Sequence, residues 1–217
     1  MRATYLSGTG ATGKTTIAQT LFLLGYSVMD EVVRDIANTH KIKNLGQIRS
    51  SELKTLNFQR MIFQDQINTE FEHLERGIDF IGDRCIIDNM AYTGYLLPFD
   101  THQIYRVAKR PGEAQNTIMP SKDFPDWESL YNRAVQLLAF YRSPDVQIIL
   151  MSPKPEDGTE IDGFRVDNFR TNNEIFSNMC DLFTSLDIRF SIIDPSITIQ
   201  EKTAKVVEIV KRFHRKD

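Results

Sequence analysis

The sequence predicts an α/β protein in which helices cover a parallel sheet on both faces. Three observations support this prediction. A short apolar stretch rich in strand formers precedes a glycine-rich loop, and apolar residues at helical spacing follow that loop. Strand-like and helix-like segments then alternate along the chain, a pattern typical of right-handed crossover units. Residues 146–151 form an apolar run, as expected of a strand that is buried on both faces.

The predicted elements are separated by recognisable stop signals. The predicted strands are residues 3–7, 26–29, 79–84, 146–151 and 189–194. The predicted helices are the segment between the glycine-rich loop and Gly25, then residues 51–76, 85–97 (helix or turn), 126–141, 173–186 and a C-terminal helix that includes 206–213. Residues 38–49 form a polar connection, 98–126 are irregular, and 152–170 are polar with turn signals. No repeat or linker divides the chain, so we expect one domain over residues 1–217.

Composition narrows the class of protein. The chain has 217 residues, 41% hydrophobic and 25% charged, which is an ordinary balance for a globular protein with a layered core. Its net charge of -3 gives no sign of non-specific nucleic-acid binding. No apolar run approaches the ~20 residues of a membrane span, and Met1 leads into the first strand without room for a signal peptide. The two cysteines, Cys85 and Cys180, predict reduced thiols in a cytoplasmic protein.

The most informative stretch is residues 8–15, Gly-Thr-Gly-Ala-Thr-Gly-Lys-Thr. It fits the phosphate-loop pattern and lies between a predicted strand and a predicted helix. Glycines let the backbone curl so that consecutive N–H groups point inward, and the following helix adds the positive end of its dipole. We expect Lys14 to reach the β and γ phosphates of a nucleoside triphosphate and the Thr15 hydroxyl to bind Mg²⁺. The predicted nucleotide-binding residues are Gly8, Thr9, Gly10, Ala11, Thr12, Gly13, Lys14, Thr15 and Thr16.

Charged residues follow two other predicted strands, where the ligand crevice of an open α/β sheet lies. Asp83 is a candidate for Mg²⁺ binding or for taking a proton from an attacking hydroxyl. The adjacent Arg84 is a candidate for holding a phosphate or orienting a substrate. Glu31 and Arg34 share one face of a helical turn after the second strand, which makes them candidates for acceptor binding. The alternative for each group is an ion pair on the surface.

Two further segments carry candidate residues. On the long helix, Gln59 and Phe63 combine an amide with an aromatic ring, which suits a base held by hydrogen bonds and stacking, although such a Phe is more often a core residue. In the polar segment after the fourth strand, Arg165 and Arg170 are candidates for stabilising charge on a migrating phosphoryl group. The alternative there is an exposed loop whose arginines pair with neighbouring aspartates.

Taken together, these segments resemble the P-loop kinases of nucleosides and nucleotides. The resemblance rests on residues 8–15, 30–34, 83–84 with 87–92, and 162–170. The last segment is similar to the lid of nicotinamide riboside kinases, and the Asp-Arg pair resembles that of thymidylate and deoxynucleoside kinases. The resemblance implies a three-layer α/β/α P-loop NTPase fold with five parallel strands in the order 2-3-1-4-5. It also implies a lid near residues 152–172 and leaves the insert 98–126 without a counterpart.

The resemblance also implies roles for single residues. Lys14, Arg165 and Arg170 would surround the transferred phosphate of ATP, with Thr15 and Asp83 near Mg²⁺. The acceptor would face Glu31, Arg34 and Arg84. One departure concerns the acceptor, because Val32 follows Glu31 where thymidylate kinases carry a proline.

The predicted function is therefore ATP- and Mg²⁺-dependent transfer of the γ-phosphoryl group to a nucleoside or nucleotide, with Asp83 or Glu31 orienting or deprotonating the acceptor. One alternative is a kinase acting on a nucleotide within a DNA or RNA strand, for which the basic cluster at 106–110 would contact the backbone. Others are a regulatory NTPase with water as acceptor and a non-catalytic nucleotide-binding protein. We expect no membrane partner, and a homodimer remains open.

Overall fold

The computed structural model describes residues 1–96, 105–109, 116–122, 124–153 and 169–215. In chain order, the strands are β1 (Ala3–Gly8), β2 (Ser27–Met29), β3 (Phe80–Asp83), β4 (Tyr105–Lys109), β5 (Asn116–Pro120), β6 (Val146–Met151) and β7 (Phe190–Ile193). The helices are α1 (Lys14–Leu23), α2 (Val32–Thr39), α3 (Leu45–Ile48), α4 (Glu52–Arg76), α5 (Ile86–Leu96), α6 (Trp127–Tyr141), α7 (Phe169–Ser185) and α8 (Ile199–His214).

The main sheet has five parallel strands in the order β2-β3-β1-β6-β7. Counting these five strands alone gives 2-3-1-4-5, so the predicted strand order is confirmed. The central strand β1 pairs with β3 on one side and β6 on the other. All carboxyl ends therefore meet at one edge of the sheet, which is where the glycine-rich loop begins.

Side chains of the central strands alternate between two hydrophobic cores, one on each face of the sheet. Tyr5 lies in the larger core with residues of α4, α5, α6 and α7. Its neighbour Leu6 lies in the second core with residues of α1 and α8. The same alternation holds on β6, where Ile148 faces the first core and Ile149 the second. The predicted three layers follow from this two-sided burial.

Local capping explains where the long helices begin and end. The Ser51 hydroxyl accepts a hydrogen bond from the Lys54 amide at the start of α4, and Gly77 ends that helix in the left-handed conformation. At the start of α8, Thr198 and Glu201 form a reciprocal capping box. The predicted range of α4, 51–76, lies close to the observed one, and α8 contains the predicted helical residues 206–213.

Two predictions about irregular segments are wrong in part. Within 98–126, β4 and β5 pair as an antiparallel hairpin outside the main sheet. Within 38–49, the predicted polar connection contains the end of α2 and all of α3. A small apolar cluster explains the helices there, because Val32 and Ile36 of α2 pack with Phe58 and Ile62 of α4. Helical spacing over so few residues is too short a signal to read from sequence.

Candidate active site

The glycine-rich loop joins β1 to α1, as its pattern predicts. Gly8 has a φ of 134°, and a Cβ atom there would lie 2.5 Å from the Met151 carbonyl oxygen on the adjacent strand. Gly13 has a φ of 92° and forms the N-cap of α1. A side chain at either position would meet both backbone strain and a neighbouring atom, so these two glycines are needed for the close approach of the loop to β6 and α8.

The side chain of Lys14 lies within the loop and is only 4% exposed. Its Nζ donates hydrogen bonds to the Thr9 carbonyl oxygen and, at 3.1 Å, to the Thr12 hydroxyl. The Thr9 hydroxyl is buried without a hydrogen-bond partner among the described residues. The loop therefore gathers a buried cation and an unused hydroxyl at the amino end of α1, an arrangement suited to an anion.

Thr15 and Asp83, the two predicted metal ligands, lie side by side. The Thr15 hydroxyl donates to Asp83 Oδ2 at 2.9 Å, whereas Oδ1 is buried without a hydrogen-bond partner in the described part of the chain. Burial raises the pKa of Asp83, while the neighbouring charge of Lys14 opposes that shift. A hydroxyl beside a carboxylate with one unused oxygen is a donor set that fits Mg²⁺, which prefers oxygen ligands.

Glu31 and Arg84 form a buried ion pair at the ends of two neighbouring strands. Arg84 Nε donates to Glu31 Oε1 at 2.6 Å, and Arg34 Nε donates to Glu31 Oε2 at 3.2 Å from the more exposed side. Arg84 Nη1 also donates to the Gly8 carbonyl oxygen at 2.9 Å. Although burial opposes the charged form, Glu31 and other neighbouring anions raise the pKa of Arg84 well above its usual value. This pair connects the acceptor candidates to the phosphate loop.

The backbone at Arg84 is itself unusual. Its φ is 92°, a conformation that residues other than glycine rarely adopt. The conformation accompanies a turn between β3 and α5 in which the Arg84 amide donates to the Leu6 carbonyl oxygen. Strain of this kind occurs where the surrounding structure requires one side-chain position.

A pocket lies next to this ion pair, between α2–α3 on one side and α4–α5 on the other. Most of the exposed area of its wall is apolar, although about half of the lining residues are polar or charged. The lining residues are Glu31, Val33, Leu45, Ile48, Arg49, Thr55, Phe58, Gln59, Ile62, Gln66, Arg84, Cys85, Asp88, Asn89, Tyr92 and Leu96. An apolar wall with a few polar groups is typical of small-molecule sites.

The polar end of the pocket is built around Gln59. Its Oε1 accepts hydrogen bonds from Asn89 Nδ2 at 2.9 Å and from the Thr93 hydroxyl at 3.1 Å. Asn89 Oδ1 is buried and has no partner within the described ranges. Two α5 residues thus hold the Gln59 amide in place, and an unused acceptor remains beside it.

Asp88 and Tyr92 are contacts to the loop that the sequence analysis did not identify. The Asp88 carboxylate accepts from the Ser7 hydroxyl at 2.8 Å, the Gly8 amide at 2.9 Å and the Cys85 amide at 3.1 Å. The Tyr92 hydroxyl accepts from the Gly10 amide at 3.0 Å. The available signal is their four-residue spacing on a helix directly after the Asp-Arg pair. Residues 87–92 contribute to the resemblance as a segment, without a role for either residue.

Other predicted site residues lie elsewhere. The prediction that Phe63 contacts the acceptor is wrong. Phe63 is fully buried in the main core against Phe124 and does not line the pocket. Arg170 is exposed on α7, where its Nε pairs with Glu174 at 3.0 Å. Arg165 and most of the predicted lid fall outside the described residues.

Solved structures with the same fold include several kinases. Deoxyadenosine kinase from M. mycoides, solved with dCMP and dCDP, is 11% identical, with 97% of this chain and 99% of that chain covered and a TM-score of 0.58. Thymidylate kinase from Candida albicans is 15% identical over 99% of this chain and 93% of that one, with a TM-score of 0.59. NadR protein in complex with NR is 16% identical, with a TM-score of 0.62. The match covers 98% of this chain and 51% of NadR, so this chain spans about half the length of NadR.

These structures confirm the resemblance to P-loop nucleoside and nucleotide kinases at the level of the fold. No curated protein matches the sequence. A family model described as an AAA domain (AAA_28) matches residues 3–202, which is most of the chain. The protein therefore belongs to this AAA domain family.

Proposed function

We propose that this protein is a kinase that transfers the γ-phosphoryl group of ATP to a nucleoside or nucleotide in the presence of Mg²⁺. One observation carries the proposal. The Arg84 guanidinium holds Glu31 in the wall of the pocket and, through a second nitrogen, the Gly8 carbonyl oxygen of the phosphate loop. A carboxylate in a pocket beside a phosphate loop is the arrangement that a second substrate requires.

The proposed reaction assigns a role to each charged group. A hydroxyl oxygen of the acceptor forms a bond to the γ phosphorus, the bond from that phosphorus to the bridging oxygen breaks, and ADP leaves. The proton of the hydroxyl passes to Glu31, which lines the pocket. Asp83 does not line the pocket and pairs with Thr15, so we assign it to the metal and not to the base. When bound there, Mg²⁺ neutralises phosphate charge.

The pocket supports a nucleoside or nucleotide as acceptor. Its apolar wall includes Phe58, and its polar end presents the Gln59 amide beside an unused oxygen of Asn89. Base edges carry neighbouring donors and acceptors, which an amide and a carbonyl oxygen match. We propose that Arg34 positions Glu31 from its solvent-exposed side. Arg165 and Arg170 are the proposed groups near the transferred phosphate.

The same pocket argues against water as the acceptor. Apolar and amide groups beside the Glu31 carboxylate suit an organic acceptor better than water, a preference that depends on the chemistry of the wall and not on its size. The basic cluster that would favour a nucleic-acid strand lies at 106–110, where no side chain is described. The net charge of -3 favours a free nucleoside or nucleotide over a strand as acceptor, and a cytoplasmic location is part of the proposal.

The test is a transfer assay with labelled ATP, Mg²⁺ and a panel of nucleosides, nucleoside monophosphates and oligonucleotides. We expect label in at least one nucleoside or monophosphate, and loss of transfer in Lys14→Ala, because Lys14 is the cation of the loop. Lys54→Ala, at an exposed position of α4, is the control with unchanged activity. Phosphate release without any acceptor, at the same rate as with one, would contradict the proposal in favour of an NTPase. Label only in oligonucleotides would favour the strand-directed kinase.

A further inference from the structure

One face of α5 reaches two backbone amides of the phosphate loop. Asp88 Oδ1 accepts from the Gly8 amide, and the Tyr92 hydroxyl accepts from the Gly10 amide. Asp88 and Tyr92 are four residues apart and therefore lie on the same side of the helix. Each amide has one hydrogen, so the Gly8 and Gly10 amides both donate their hydrogen to side chains of α5. The loop is thus held at two points by a neighbouring helix.

The same helix also forms part of the acceptor pocket. Asn89 and Thr93 donate to Gln59 Oε1. The Tyr92 ring lines the pocket and lies against Arg84, with 5.3 Å from the guanidinium carbon to the ring centroid. Tyr92 therefore contacts the loop through its hydroxyl and the acceptor side through its ring.

This arrangement matters because group transfer depends on the relative position of two sites. Reacting atoms must lie about 3–3.5 Å apart, and a small displacement lowers the rate steeply. Packing at the core holds α5 rigidly, since Ile86, Ile87, Met90 and Ala91 are at most 1% exposed. A rigid helix that contacts both sites can set the distance between them.

We infer that Tyr92 is a positioning residue, which together with Asp88 makes α5 a brace between the phosphate loop and the acceptor pocket. The inference rests on the proposed function, because it assigns α5 a task in the transfer between the two sites. Tyr92 acts through the Gly10 amide and through Arg84, and it exchanges no proton or phosphoryl group with the substrates.

The test is Tyr92→Phe, which keeps the ring beside Arg84 and removes only the hydroxyl. We expect kcat to fall about tenfold, because loss of the hydroxyl lets the loop shift relative to the pocket and transfer depends steeply on the distance between the reacting atoms. The KM for the acceptor should remain unchanged, because the pocket wall keeps its side chains, and the melting temperature should fall by no more than about 4 °C, the loss expected from one hydrogen bond. Tyr95→Phe is the matched control, since Tyr95 lies on the same helix but its hydroxyl contacts Thr171 on α7.

A second measurement does not depend on transfer. In the absence of nucleotide, amide hydrogen exchange at residues 8–13 should be faster in Tyr92→Phe than in the wild type and in Tyr95→Phe. If the wild type transfers phosphate to no acceptor, the proposed function fails, while faster loop exchange still supports the brace. Unchanged exchange overturns the brace whatever the activity.

Two other outcomes also overturn the inference. Tighter ATP binding by Tyr92→Phe would mean that the hydroxyl competes with phosphate for the Gly10 amide. A fall in kcat that comes with a larger loss of melting temperature and higher KM values for both substrates would mean a general structural role. If the wild type transfers phosphate, a lower kcat at constant acceptor KM together with faster loop exchange supports the brace.

Discussion

Thr15 and Asp83 are 68 residues apart in the chain, yet their side chains form a hydrogen bond of 2.9 Å. Parallel pairing of β1 with β3 produces this proximity, because Leu6 lies opposite Asp83 in the register. The phosphate loop and the end of β3 therefore share one edge of the sheet. Asp83 is left with one buried oxygen that has no hydrogen-bond partner among the described residues.

Asp83→Asn should raise the Mg²⁺ concentration needed for half-maximal activity by about tenfold or more. The amide has no charge with which to hold the cation, and ligand charge is a main source of affinity at such sites. A titration of activity against Mg²⁺ at saturating ATP checks this. Asp30→Asn, at an exposed position after β2, should leave the titration unchanged. The metal assignment is wrong if both variants require the same Mg²⁺ concentration as the wild type.

Glu31→Gln should lower kcat by about 10²-fold or more, the range expected when a general base is lost. The amide cannot take the proton of the acceptor hydroxyl, although it can still accept hydrogen bonds from Arg84 and Arg34. Steady-state kinetics with the acceptor found in the panel measures the effect. Glu52→Gln, at an exposed position of α4, is the control. A Glu31→Gln enzyme with full kcat would exclude Glu31 as the base.

Gly8→Ala should lower the free energy of unfolding by about 3 kcal/mol, because backbone strain and a clash act together. The new Cβ would lie 2.5 Å from the Met151 carbonyl oxygen. Gly25→Ala separates the two effects, since Gly25 also has a positive φ but no heavy atom within 4 Å. We expect Gly25→Ala to lower the free energy of unfolding by about 1–2 kcal/mol. Urea unfolding measures the free energy of unfolding of both variants. Equal losses would show that the clash with the Met151 carbonyl oxygen adds nothing to the backbone strain.

Glu70 should make stability depend on pH. This fully buried carboxylate accepts hydrogen bonds from Tyr5, Tyr141, Gln66 and the Ile86 amide, yet burial raises its pKa from 4.5 to about 7. A carboxyl with a raised pKa binds a proton more tightly in the folded state. Its favourable contribution is therefore fully present below pH 4.5 and is lost as the pH rises to about 7.

Glu70→Gln tests this dependence because the amide does not titrate. The difference in unfolding free energy, wild type minus variant, should fall by about 3 kcal/mol between those pH values and stay level above them. Denaturant unfolding at a series of pH values gives this difference. A difference that stays constant, or that rises with pH, would contradict the raised pKa.

Much of the fold could be predicted because its signals are local. The phosphate-loop pattern located the turn from β1 to α1, and apolar spacing with Ser51 and Gly77 located α4. The β4–β5 hairpin was missed, since its strands are short and lie in a proline-containing stretch. From its residue type Phe63 was a candidate for the acceptor, with a core position as the alternative, and packing places it in the core. A side chain's direction depends on the helix rotation, which local spacing describes only coarsely.

The sequence by itself determined the phosphate loop, the positions along the chain of the five strands of the main sheet, and the charged residues at the ends of β2 and β3. These features depend on backbone preferences and hydrophobic spacing between near neighbours. Only the tertiary structure decided that Glu31 pairs with Arg84, that Asp83 meets Thr15 and that Tyr92 reaches the Gly10 amide. Each of these contacts joins distant segments, and its geometry follows from strand register and helix packing, which arise only when the whole sheet is assembled.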